Sequence, residues 1–177
     1  MNNPYLELAK KTVETYIKTG KIISPANDLP KKMLGDRAGV FVSIHLKNGE
    51  LRGCIGTFAP TQKNIAEEII HNAIESATQD PRFPPVTESE LSNLVYSVDI
   101  LSRTEPVTNP STLNPKTYGL IVQSSDGRRG LLLPDLEGVD TVNQQINICR
   151  QKAWISEDEP VSLYKFTVER HQEKITP

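Results

Sequence analysis

Asn48-Gly49, set between the apolar runs Val40–Leu46 and Leu51–Ile55, constrains this chain more than any other feature. The pair favours a two-residue turn with positive φ at both positions, whose twist suits two antiparallel strands. With Asn48 and Gly49 as the turn, Lys47 pairs with Glu50, His45 faces Arg52, Ser43 faces Cys54 and Phe41 faces Gly56. Side chains alternate along a strand, so Val40, Val42, Ile44, Leu46, Leu51 and Ile55 line one face, the core face. The other face gathers Ser43, His45, Arg52 and Cys54. A three-residue bulged loop would instead slip the register by one and part His45 from Arg52.

Composition narrows the class. Hydrophobic residues are 37% and charged residues 24% of 177 positions, the balance of a soluble globular chain rather than a disordered one. That length suits one domain, residues 1–177, or two small lobes sharing a core. A formal net charge of −2 gives no global attraction for nucleic acid or an anionic membrane. Cys54 and Cys149 form no disulfide framework and read as reduced thiols in a cytoplasmic protein. The polar start has no signal-peptide pattern, and no apolar run approaches the roughly 18–20 residues that span a bilayer. Three scattered histidines and two distant cysteines lack zinc-ligand spacing, so neither metal nor cofactor is expected.

Apolar spacing at Leu6, Ala9, Val13 and Tyr16-Ile17 predicts a helix over 4–19, closed by Gly20. Residues 21–38 read as a loop with one helical turn. A second helix presents Ile65, Ala66, Ile69, Ile70, Ala73, Ile74 and Ala77, with Thr61 as the expected N-cap and Pro81 as its stop. A short helix over 88–91, a strand over 94–101 and a Pro/Thr/Asn-rich connection over 103–116 follow. The order then repeats: a strand at 118–123, a Ser125-Asp126-Gly127 turn, a strand at 129–133, a helix over 141–153 and a strand over 161–168. Arg52-Gly53 corresponds to Arg129-Gly130, which suggests an internal duplication with halves at about 39–102 and 117–169. The polar tail from His171 is expected to fray.

Each candidate residue carries two readings. Cys54 is a reactive thiol beside Arg52 and His45, or a small side chain filling a tight place between Gly53 and Gly56. The two glycines allow close approach of backbone or ligand. Arg52 is an anion clamp, or an ordinary strand arginine paired with an acid. His45 depends on the hairpin register. Asp80-Pro81-Arg82-Phe83 is a rigid rim carrying Arg82, or a helix stop whose Asp80 and Arg82 pair locally while Phe83 plugs the core. His71 falls among Glu67, Glu68 and Glu75 and reads as solvated, whereas Cys149 shares an apolar stripe with Val142, Ile146 and Ala153. Gly127-Arg128-Arg129-Gly130 lacks the ending of a phosphate loop and opens a strand.

Leu51-Arg52-Gly53-Cys54-Ile55-Gly56, then Asp80-Pro81-Arg82-Phe83-Pro84, then Gly127-Arg128-Arg129-Gly130-Leu131-Leu132-Leu133-Pro134 together resemble the AMMECR domain family. In prokaryotes the family is also called AmmeMemoRadiSam system protein A, and the resemblance covers about residues 5–170. It implies an α+β fold of two related β-β-β-α-α-β-like repeats sharing a mainly antiparallel, barrel-like sheet flanked by helices. It also implies a cleft between two lobes, with Arg52-Gly53-Cys54 beside it. On that basis Arg52, Cys54 and Arg82 become stronger candidates, and together with the hairpin face this makes Cys54 the candidate catalytic group, with His45 secondary. Ser43, Arg52, Gly53, Gly56, Asp80 and Arg82 are the candidate binding residues. The prokaryotic name implies a Memo-like protein and a radical-SAM enzyme as partners, with an unidentified small molecule as ligand. A non-catalytic protein–protein adaptor is the other reading, and nucleic acid is disfavoured because phosphate contacts need a basic footprint. Relatives often carry Trp-Asp where this chain has Val139-Asp140, so no aromatic role falls at 139. The resemblance supplies no reaction.

Overall fold

Helix α1 (Pro4–Thr19) opens the structure, a computed structural model that describes residues 3–174. Asn3 caps it by accepting from the Tyr5 and Leu6 amides, and Pro4 costs nothing at the first position, where no intrahelical donor is needed. Gly20 closes it at φ 70°, donating to the Tyr16 carbonyl. The chain continues through the short α2 (Lys31–Gly35), β1 (Val40–Leu46), β2 (Leu51–Thr57), α3 (Ile65–Thr78) and, after a 3-10 turn at Glu88–Asn93, β3 (Leu94–Leu101). Next come β4 (Glu105–Pro106), β5 (Gly119–Ser124), β6 (Arg129–Leu132), α4 (Val142–Lys152), β7 (Val161–Phe166) and β8 (Val168–Gln172).

The fold is α+β, and its strands divide into two four-stranded sheets of order β2-β1-β3-β8 and β4-β7-β5-β6. Among the described residues the strands therefore form two sheets, neither closed on itself, rather than the single barrel-like sheet implied by the family resemblance. Two compact units result. One holds residues up to Leu101 with the segment from Glu169, and the other holds Ser102–Val168. Within each, strand, strand, helix and strand follow in sequence, and the helix packs on the hairpin.

In the first unit, Val40, Val42 and Ile44 of β1 meet Ile65, Ile69 and Ala73 of α3 and Ala9 and Val13 of α1, all essentially without solvent contact. The Asn72 amide donates to the Val40 carbonyl (2.9 Å), and the Ser76 hydroxyl donates to that of Val42 (2.7 Å). In the second unit, Leu120, Val122, Leu132, Cys149 and Ile155 form a separate core. Gln145 donates to the Tyr118 carbonyl (2.8 Å), and the Cys149 thiol lies 3.6 Å from that of Leu120. Burial pushes the Cys149 thiol up to about 12. As its stripe suggested, Cys149 is core.

Several expectations change. The N-cap of α3 is Asn64, which accepts from the Glu67 amide, and Thr61 has another task. Its amide and hydroxyl, with the Gln62 amide and the Thr57 hydroxyl, all donate to the fully buried Glu68 carboxylate at 2.6–2.8 Å. Burial raises the Glu68 pKa, but the four donors outweigh it and leave the carboxyl below its ordinary range. Glu68→Gln sets an amide NH2 against these donors and is expected to destabilise the fold by about 2–3 kcal/mol in urea titrations.

The connection over 103–116 contains the short edge strand β4 and a 3-10 turn at Pro110–Thr112. The strand expected over 161–168 breaks after Phe166, and the chain re-enters the first sheet as β8. His171 is ordered there, stacked on Tyr5 with ring centroids 4.0 Å apart and 2.9 Å from the Asn3 amide, so fraying does not begin at that residue. The rest of the tail, beyond 174, lies outside the described residues.

Candidate functional site

The hairpin reaches its expected pairing by an unexpected route. Leu46 donates to the Glu50 carbonyl and Gly49 donates to that of Leu46, so the loop is Lys47-Asn48-Gly49, with only Gly49 at positive φ (92°). Three loop residues instead of two shift the register by one, and His45 stands opposite Leu51. An irregularity between Ile44 and His45 then makes Arg52 the extra residue of a bulge and restores the register. Ser43 faces Cys54 and Phe41 faces Gly56, as the sequence predicts. His45 does not face Arg52. It lies half-buried opposite Val95 on its other side, and burial lowers its pKa.

The bulge turns Arg52 inward, to 8% exposure. Its guanidinium forms a fork with Glu90 (Nε–Oε1 2.7 Å, Nη2–Oε2 3.2 Å) and donates from Nη1 to the Pro84 carbonyl (3.0 Å). Glu90 also accepts from the Thr87 amide and hydroxyl, and these bonds, led by the Arg52 fork, hold its carboxyl at about 2. A clamp already holding an internal carboxylate is not open to an external anion. Arg52 instead ties the 80–90 segment to the outer edge of β2.

Asp80 makes the second tie. Only 4% exposed, it accepts from the Cys54 amide (2.9 Å), the Arg82 amide (3.1 Å) and the Arg82 guanidinium (3.0 and 2.7 Å). The Arg82 bonds, followed by that from the Cys54 amide, hold its carboxyl at about 2 against the opposing effect of burial. Strand β2 is an edge strand, and Asp80 satisfies an amide that would otherwise face a new strand. Phe83 lies beneath both guanidiniums, at 5.9 Å from Arg52 and 5.6 Å from Arg82.

The half-buried Cys54 thiol accepts from the Ser43 hydroxyl at 3.1 Å. Arg82 has a raised pKa, first through Asp80 and, as a lesser cause, through the charge of a Cys54 thiolate. Both glycines of the motif accommodate the protein's own atoms. A Cβ on Gly53 would lie 2.1 Å from the Ser76 carbonyl oxygen, and one on Gly56 would lie 2.2 Å from the Phe41 ring.

The structure thus brings together Ser43, Cys54, Asp80 and Arg82, commits Arg52 to Glu90, and leaves His45 outside the group. Sequence reasoning missed Ser76, whose hydroxyl accepts from the Ile55 amide (2.8 Å), and Glu90. Both had signals: Asn72 and Ser76 interrupt an apolar helix face one turn apart, and Thr87-x-x-Glu90 is a capping box. Arg128 is engaged by Asp126 (2.8 Å) and Glu159 (2.5 Å). Among the described residues, no three His, Cys, Asp or Glu side chains cluster as metal ligands, and no helix is long and apolar enough to cross a membrane.

A family model described as AMMECR1 matches residues 6–175. A protein of Thermotoga maritima is 53% identical over 171 residues, covering 96% of this chain and 98% of that protein. One of Clostridium acetobutylicum is 46% identical over 172 residues, and there the match spans 97% of this chain but 36% of a longer protein. The crystal structure of an uncharacterized protein from Pyrococcus horikoshii, 36% identical, superposes with a TM-score of 0.86 over 96% of this chain and 90% of that one. Sequence, matched length and fold agree, and the chain belongs to the AMMECR1 family.

Proposed function

We propose that this chain binds a small molecule or a modified protein group at Leu51–Gly56, with Cys54 as the thiol that holds or attacks it, and that it acts beside a Memo-like protein and a radical-SAM enzyme. We read it as one domain of two related halves, and the comparison of those halves carries the proposal. Gly53 lies against the Ser76 carbonyl in one unit, and Gly130 lies against that of Cys149 in the other. With the units aligned on these contacts, Ser43 and Cys54 correspond to the facing pair Ile121 and Leu131. Asp80, four residues after Ser76, corresponds to Ala153, four after Cys149. The scaffold therefore closes with aliphatic residues where the first unit carries a hydroxyl, a thiol and a carboxylate. Asp80 also ties the edge of β2, but the Ser43–Cys54 pair is not needed to close the scaffold, and this supports a role beyond folding.

Arg82 is forked to Asp80 through Nε and Nη2, but unlike Arg52 its side chain is 56% exposed, so it can still meet an incoming anion beside Cys54. A Cys54 thiol outside any disulfide suits a reducing, cytoplasmic setting. With iodoacetamide between about pH 6 and pH 9, Cys54 is expected to alkylate readily while Cys149 does not, as read by peptide mass spectrometry. Equal, slow labelling of the two would remove the nucleophile.

The second reading is an adaptor without chemistry. It is favoured by the Clostridium acetobutylicum relative, where the matched region is about a third of a longer protein. Co-purification with a Memo-like partner that persists unchanged in Cys54→Ser would select it.

A further inference from the structure

The second unit contains a cavity of about 250 Å³ lined by Ser102, Arg103, Glu105, Tyr118, Lys165, Phe166 and Thr167. We infer that it is an oxyanion site for a small phosphate- or carboxylate-bearing molecule, independent of the Cys54 reading. Three observations carry this.

Lys165 stands where a strand normally presents an apolar side chain. It is opposite Leu120, which is fully buried, and so shares the core-facing side of the sheet. Its ammonium lies 4.6 Å from the centre of the Tyr118 ring, and its side chain is only 23% exposed. Snorkelling along Tyr118 explains the stem but does not neutralise the charge.

The acid that could neutralise it is poorly engaged. Glu105 faces Lys165 across β4 and β7, yet the closest approach is 3.8 Å and the Glu105 side chain is 71% exposed. A charge-assisted hydrogen bond is nearer 2.7–2.9 Å, so a ligand oxygen that seats closer replaces a loose contact, not a tight one.

A second cation waits at the same cavity. Among the described residues, the Arg103 guanidinium has neither a hydrogen bond nor an ion pair. The rim that carries it is held by two bonds of 2.9 Å, from the Ser102 amide to the Thr167 carbonyl and from the Thr167 amide to the Ser102 hydroxyl. Two positive groups against one exposed acid leave the cavity net positive. A volume below the roughly 300–1,000 Å³ of drug-sized sites limits the occupant to a few heavy atoms around the anion. The Tyr118 ring offers it one apolar wall.

The test titrates the full chain, 15N-labelled, with inorganic phosphate in one arm and acetate in the other, against sodium chloride at matched ionic strength. Saturable amide shifts at Arg103, Glu105, Lys165 and Thr167 are expected with at least one oxyanion and not with chloride. The arm that saturates identifies phosphate or carboxylate as the source. Lys165→Met and Arg103→Gln should each weaken binding about tenfold, and Glu105→Gln should tighten it about threefold by removing the competing acid. Glu105 is exposed, so its variant reads the site in a folded chain. Shifts that never saturate, that chloride reproduces, or that all three variants leave unchanged overturn the site.

Discussion

Gly53→Ala is expected to destabilise this protein by about 3–5 kcal/mol, more than substitution of most fully buried side chains by a similar residue. The added Cβ would sit 2.1 Å from the Ser76 carbonyl oxygen and 3.1 Å from the carbonyl carbon. Both sides of that contact are backbone, so no rotamer change relieves it. Helix α3 must lift from β2 by about an ångström, because real Cβ atoms do not approach oxygen closer than about 3 Å. Lifting breaks what the helix holds: the Ser76 bridge between the Ile55 amide and the Val42 carbonyl, and the Asn72 bond to Val40. Each net hydrogen bond adds about 1 kcal/mol to the loss. Gly130→Ala should behave likewise, since its Cβ would lie 1.7 Å from the Cys149 carbonyl oxygen. Gly35→Ala is the control. Nothing lies within 4 Å of that position, and a helical alanine should be neutral or stabilising by up to about 1 kcal/mol. At about 2–4 °C per kcal/mol for a chain of this size, calorimetry should place Gly53→Ala and Gly130→Ala roughly 10 °C or more below the parent, with Gly35→Ala at or above it. A parent-like melting temperature for Gly53→Ala would show that α3 does not rest on β2 as described.

Asp80→Ala is expected to cost about 2–4 kcal/mol and to alter Cys54 at the same time. One carboxylate serves the Cys54 amide, the Arg82 amide and the Arg82 guanidinium, and hydrogen bonds to a charged group are worth about 1.5–3 kcal/mol each. The exposed guanidinium can turn to water, which limits the loss, while the edge amide of Cys54 is left without its acceptor. The pH dependence follows from the same geometry. The Asp80 and Glu90 carboxyls both sit at about 2, below their ordinary values near 4, so the folded state prefers them ionised. Their stabilisation is complete above the unfolded-state range, and it is lost as pH falls from about 4.5 toward 2. The parent should therefore melt at nearly constant temperature from neutral pH to about pH 5 and lose stability steeply below that. Asp80→Asn should begin lower and fall less steeply through the same window. Releasing Arg82 from Asp80 should also shift the pH dependence of Cys54 alkylation, whereas loss of the amide tie alone would change the rate without moving that profile.

How far the candidate site could be read in advance depended on the range of the interactions. Ser43 and Cys54 face each other because side-chain alternation and a turn signal are local, and two offsetting irregularities returned them to register. Arg52 could not be placed by the same rule. A bulge is decided by what the turned side chain finds, and here it finds Glu90, 38 residues away in sequence. Glu68 was read as one of several acids around a solvated helix face. It is buried because Thr57, Thr61 and Gln62 together offer it four donors.

By itself the sequence determined the local elements: the helix over 4–19 with its Gly20 stop, the strand at 94–101, the hairpin and its polar pair, and the recurrence of Arg-Gly at 52–53 and 129–130. Hydrophobic period, capping residues and turn glycines act over a few residues, so they survive without a tertiary context. Only the tertiary structure decided that the strands form two open sheets rather than one, with β4 joining the second and β8 returning to the first. Strand partnership is a competition among distant edges, and no local signal ranks them. It also decided that Arg52 is a structural tie while Lys165 and Arg103 meet at a cavity, because the role of a charge is set by the partner that reaches it.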